Sequence, residues 1–406
     1  MAPPDQKKDL SGIARSIDAL FGEDEALPSP AADDASAAAD DPDAVPAPAA
    51  QGAPAEAAPP PAASEDVVWE PPVEKPAPRA QDADPQALRD AVTAFLKADP
   101  LAREGKGRDI RDAAAALREA NALDVLADSV ERLVLGAGDP PDEACLAMAQ
   151  VLLSPGVGSR IAAYLGNERD EDRRKELVRV CKLLGNDMAL AVSDALSATQ
   201  DRFARRTFLD TMVAMGPDAM PVVEKMVGDG RWFVVRNALA ILGEVGGERP
   251  VELIISTLAH TDARVRREAL MALARVGGED AGQLVYGMID DPDSDVRLAA
   301  AMAAGALKVE RALRPLLALL EEESDADVVV GVLRALGQLG DPGAVNAIEK
   351  RAVGSFFSRP PAEVRIAAYR ALHSIGTPHA KSLLVHAAED KDPAVKGAVR
   401  QMLGMR

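Results

Sequence analysis

One helical pattern returns about every 31 residues along the C-terminal three-quarters of the chain. Its clearest copy is Val265-Arg266-Arg267-Glu268-Ala269-Leu270-Met271-Ala272-Leu273-Ala274-Arg275-Val276-Gly277. Relatives start at Val234, Val296, Val328, Val364 and Val395, with looser copies at Arg173 and Ala204. Successive starts lie 31, 30, 31, 31, 32, 36 and 31 residues apart. A unit of that length holds two short helices and cannot cover its own apolar face, so the copies must stack. The period restricts the fold to an all-α solenoid, predicted here as a right-handed superhelix of about ten helix pairs.

Each unit follows one grammar. Asp262, Asp293, Asp325 and Asp392 stand where a side chain caps the first helix by accepting from its free N–H groups. Gly216, Gly277, Gly340 and Gly376 stand where that helix ends and a left-handed residue is favoured. Pro217, Pro342 and Pro378 then open the second helix. Ala269, Ala300 and Ala368 are small enough to let neighbouring helices approach. No stretch alternates at period two, so no strand is expected.

The chain divides by composition. Residues 1–22 carry a stripe at helical spacing (Leu10, Ile13, Ile17, Leu20 and Phe21), a short amphipathic helix of a kind that folds on a partner. Residues 23–84 hold 15 acidic and 2 basic side chains among Ala and Pro, and are expected to be a disordered acidic tail. Residues 85–169 read as a helical cap with two degenerate pairs, around 108–135 and 141–165, and residues 170–406 as the repeat array proper. The net charge of −19 argues against a nucleic-acid footprint or an anionic membrane surface. No run of about 18 apolar residues and no secretory h-region appears. Cys145 and Cys181 fall in apolar helical stretches and give no disulfide framework, so a cytoplasmic protein is expected.

The units resemble HEAT repeats, and more closely the short HEAT-like repeats of phycobilisome (bilin) lyases, of the form Asp-x-x-Val-Arg-x-x-Ala-x-x-Ala-Leu-Gly-x-Leu-Gly. Asp325 to Val328 with Gly331 to Gly340, Glu363 to Leu372, and Asp295 to Ala300 carry the likeness. It spans roughly 170–406, is weaker over 108–169 and covers nothing before 85. In that family the Arg after Val usually pairs with an acid of a neighbouring unit. The resemblance thus implies a structural ladder of Arg174, Arg205, Arg266, Arg297 and Arg365, ending in Lys396, with breaks at Val235 and Val329. Ligand contact is the alternative role for these arginines.

Catalytic patterns are sparse. His373, His379 and His386 crowd one unit near Glu389 and Asp390, but they read better as surface or half-buried histidines than as a metal set. Deoxyhypusine hydroxylases, another HEAT-like family, hold di-iron with His-Glu pairs, and no His-Glu occurs here. Glu104-Gly105-Lys106-Gly107-Arg108 lacks phosphate-loop spacing and reads as a polar loop. Of ten aromatic residues in 85–406, Phe203, Trp232, Phe233, Phe356 and Phe357 gather at loops entering first helices, the last two inside the insertion of the 36-residue step. Trp232, Phe233, Phe356 and Phe357 are candidate partner contacts, with packing between units as the competing role. The expected function is a non-catalytic scaffold without cofactor or metal, binding one or more proteins but neither nucleic acid nor, stably, a membrane. The alternative is a bilin-lyase-type subunit attaching a chromophore to a protein thiol.

Overall fold

The computed structural model describes residues 81, 83–354 and 359–405. The stripe of Leu10, Ile13, Ile17, Leu20 and Phe21, the acidic tail up to Ala80, and Phe356 and Phe357 lie outside the described residues. Within them stand twenty α-helices and no strand. Helix α1 (Pro85–Lys97) opens the array and α20 (Pro393–Met402) closes it. Between them run α2 and α3 (Arg103–Glu119, Leu123–Leu135), α4 and α5 (Glu143–Leu152, Pro155–Asn167), and α6 and α7 (Glu171–Leu184, Asn186–Ala198). Next come α8 and α9 (Arg202–Met215, Met220–Val227), α10 and α11 (Trp232–Val245, Glu248–Thr257), and α12 and α13 (Ala263–Val276, Glu279–Tyr286). The last pairs are α14 and α15 (Ser294–Ala306, Leu313–Glu322), α16 and α17 (Ala326–Leu339, Val345–Val353), and α18 and α19 (Ala362–Ile375, Pro378–Ala387). The chain is an all-α solenoid.

Local chemistry sets the helix bounds. Asp142, Asp170, Asp201, Asp262, Asp293, Asp325 and Asp392 each accept from a backbone N–H two or three residues on, capping a first helix or α20. The exceptions are α2, preceded by Ala102, α10, preceded by Arg231, and α18, preceded by Pro361. Gly340 ends α16 in the left-handed region, at φ 72 and ψ 12. Gly277 ends α12 at φ 75 but ψ −165, so it shares the position and not the conformation expected of it. The pentapeptide Glu104 to Arg108 is not a loop: it lies in the first turns of α2.

Neighbouring units touch through different layers in the two halves. In the first half the close row is made of second helices, α3 on α5 and α5 on α7. From α10 onward it is made of first helices: α10, α12, α14, α16, α18 and finally α20. Small residues permit this. A Cβ on Gly158 would come within 3.1 Å of the Ala191 Cβ, tying α5 to α7. A Cβ on Gly305 would come within 2.7 Å of the Ala335 Cα, and one on Gly337 within 2.8 Å of the Ala371 Cα. Where one layer closes, the other fans open. The first helices therefore spread in the N-terminal half and the second helices in the C-terminal half.

The buried side chains form two clusters that meet on α12. Ala269, Ala272 and Leu273 belong to the first, Leu270 and Ala274 to the second. No helix is covered without its neighbours, which is the physical content of a repeat array.

Candidate functional site

The arginines of the repeat build a connected rail along the C-terminal half. Arg266, at the start of α12, grips Asp291 with two bonds, Nε to Oδ2 at 2.9 Å and Nη2 to Oδ1 at 2.8 Å. Its third nitrogen donates to the carbonyls of His260 and Thr261 at 2.9 and 3.1 Å. Asp291 in turn accepts from the Asp293 N–H at 2.9 Å, and Asp293 caps α14. The Asp291 carbonyl accepts from Arg297 at 3.0 Å, and Arg297 holds the Glu323 carboxylate at 2.7 and 2.9 Å. Glu323 accepts from the Ser324 and Asp325 N–H groups, and Asp325 caps α16. Arg365 repeats the theme with Asp390.

The acid thus sits after the same unit's second helix and shapes the turn that starts the next unit, where the resemblance implied an acid of a neighbouring unit. Burial alone raises Asp291, Glu323 and Asp390. Hydrogen bonds from the arginines and turn amides, with the arginine charge, outweigh it and hold all three below the usual carboxylate range. Arg174 and Arg205 reach back to the carbonyls of Glu168 and Thr199 at 3.4 and 3.2 Å. Position 199 is Thr and position 230 is Gly, so no acid stands 25 residues ahead of either.

The rail is interrupted at Val329, which is buried where a ladder arginine would stand. Arg351 of α17 takes over part of the missing role: its Nε donates to the Leu320 carbonyl at 2.8 Å and its Nη2 bonds the Glu323 carbonyl. Beside Val329 a groove of about 710 Å³ opens between α15, α17 and the starts of α16 and α18. Leu317, Ala318, Val329, Ala347, Pro360 and Pro361 give it an apolar lining. Glu321 and Lys350, paired at 2.7 Å, stand on the rim. Gly354 and Arg359, on either side of residues 355–358, line its edge. The volume falls in the range of sites that take a small molecule or a few side chains of a partner.

Trp232 and Phe233 are the first two residues of α10, not loop residues, and are half-buried against the first core cluster. Their rings meet edge to face at 6.3 Å, and Arg264 lies 4.1 Å over Trp232. Phe203 carries Arg169 at 3.8 Å over its ring. His379 bonds Glu349 at 2.8 Å and His386 the Ser382 carbonyl at 2.8 Å. Among the described residues no three His, Cys, Asp or Glu side chains converge as a metal set would. Cys145 and Cys181 are both buried, and burial pushes the Cys181 thiol up to about 12. No single described helix is long and apolar enough to cross a membrane.

The sequence shows Val329 as a gap in the arginine series but carries no sign of the groove beside it. What that gap opens depends on Leu317 and Ala347, 12 residues before it and 18 after it on other helices, and on the fanning of α15 and α17.

A family profile described as HEAT repeats matches residues 234–294 and 283–356. No curated protein matches the chain significantly. Among solved structures, the chain is similar to an engineered protein at 18% identity, over 78% of this chain and 98% of that one, with a TM-score of 0.36. It is similar to human deoxyhypusine hydroxylase in complex with glycerol at 19% identity, over 54% of this chain and 96% of that one, with a TM-score of 0.28. It is also similar to the karyopherin Kap121p bound to the SUMO protease Ulp1p, at 12% identity over 80% of this chain and 40% of that one, with a TM-score of 0.44.

Proposed function

We propose that this protein is a non-catalytic cytoplasmic scaffold that holds a partner protein on its repeat array. One observation carries the reading: where the arginine rail breaks at Val329, the array presents an apolar groove with a charged rim. An apolar recess that excludes water from a few anchoring side chains is the chemistry of a protein-binding hot spot. The N-terminal stripe of Leu10, Ile13, Ile17, Leu20 and Phe21 supplies a second grip. Joined to the array by the segment 23–84, it makes the scaffold bivalent and raises the effective concentration of one partner near the other.

The test is a tagged full-length chain recovered from its own cells, beside a double variant Ala318→Glu with Ala347→Glu. Both positions line the groove, Ala318 exposed and Ala347 half-exposed. The reading expects at least one protein retained by the wild type and lost by the variant at an unchanged melting temperature. Identical retained sets would count against it.

A further inference from the structure

The fanned first helices of the N-terminal half leave a second groove, between α6 and α8, of about 650 Å³. Its walls carry Arg174, Lys175, Arg179 and Lys182 against Glu171 and Asp210, four cations to two acids and so a net of +2. This stands out on a body whose residues 85–406 hold 47 acidic and 41 basic side chains, a net of −6. Both acids are engaged: Glu171 with Lys175 at 2.8 Å and Asp210 with Arg206 at 3.0 Å. Val178, Leu183 and Ala214 make the groove apolar between its charges. Its buried Thr211 donates to the Thr207 carbonyl at 2.7 Å and so asks nothing of an occupant. The complement is an anionic segment with an apolar centre.

The chain carries one. Within 23–84 the sole apolar island is Val67-Val68-Trp69, flanked by Glu65, Asp66, Glu70 and Glu74. We propose that residues 65–74 dock into the groove between α6 and α8 of their own chain, with Trp69 against Val178 and Leu183 and the acids facing Arg174, Arg179 and Lys182. The reach fits. Trp69 precedes Pro85 by 16 residues, which span at most ~55 Å. The α6–α8 groove lies three to four helix spacings along the array from α1, which Pro85 opens, roughly 25–40 Å at 8–10 Å each. The groove beside Val329 lies some seven to eight units from α1, roughly 60–80 Å, beyond that reach even for a straight chain. Its lining also carries more cations than acids, Lys350, Arg351 and Arg359 against Glu321, so reach and not charge decides between the two grooves. Being covalently attached, the segment holds the basic groove at high effective concentration, and any acidic peptide from elsewhere must displace it. The inference stands apart from the partner groove, since the two surfaces share no residue.

The test uses the full chain with Trp232→Phe, which leaves Trp69 as the only tryptophan. Acrylamide quenching of Trp69 is expected to be several-fold weaker than in a free peptide of residues 60–80, and independent of protein concentration. Arg179→Glu with Lys182→Glu, or about 1 M salt, is expected to raise it toward the peptide value. Quenching equal to the peptide's overturns the proposal, as does indifference to charge reversal. Protection that fades on dilution also overturns it, because it would place the segment on a second copy. Amide exchange in the unaltered background reads the same contact without touching Trp232. Val68→Asp with Trp69→Asp should speed exchange several-fold across α6 and α8, and no change there would overturn the docking.

Discussion

Arg266 performs two tasks with one guanidinium: it neutralises a buried carboxylate and ties off two carbonyls at the start of its helix. Its side chain is 13% exposed and that of Asp291 is 5% exposed, so removing the cation strands a charge away from water. Arg266→Ala should lower stability by about 3 kcal/mol, read from the denaturant midpoint, and adding Asp291→Asn should recover part of the loss. The same pairs fix the response to acid. Asp291, Glu323 and Asp390 are held below their ordinary values in the folded state. Their contribution is complete above the unfolded values near pH 4 and is lost as pH falls through the lower folded ones. The melting temperature should therefore be flat from pH 7 to about 5 and fall below about 4, with a shallower acid limb in the Arg266→Ala, Asp291→Asn double variant. At this scale the arginines were legible because they recur at one slot. Their acids were not, since Asp291 and Glu323 lie 25 and 26 residues ahead in turns with no fixed motif.

For single helices the sequence reads well where caps are strong. Asp262 caps α12 three residues before the pattern begins at Val265, and Gly277 ends the helix where the pattern ends. It misleads where glycine serves packing instead of a turn. Gly105 and Gly107 made 104–108 look like a loop, yet a Cβ on Gly107 would come within 2.8 Å of Met148 and 3.7 Å of Phe95, so the glycine admits a close neighbour inside a helix. The switch of the close row from second helices to first helices has the same origin. It is written in Gly–Ala pairs one unit apart, such as Gly305 with Ala335 and Gly337 with Ala371, and either member alone is uninformative. Gly337→Ala should push α16 from α18 and cost about 1–3 kcal/mol. Gly105→Ala, with nothing within 4 Å of the added carbon, should instead gain about 0.5–1 kcal/mol. Equal midpoints for the two variants would refute the packing argument.

Across the whole molecule, the repeat period made the architecture legible and left the binding surfaces hidden. A solenoid fold is a sum of nearest-neighbour contacts, and those contacts are what the period encodes. Which layer fans open, and therefore where a groove forms, depends on small differences between units: Val329 for an arginine, Ala for a larger residue, a 36-residue step for one of 31. Both grooves exist only because the units lean on one another in line. Nine pairs at 8–10 Å per step give a body roughly 90 Å long. Small-angle X-ray scattering on residues 83–406 should then return a radius of gyration of about 25–30 Å, whereas a value near the ~20 Å of a compact globule of that length would contradict the account.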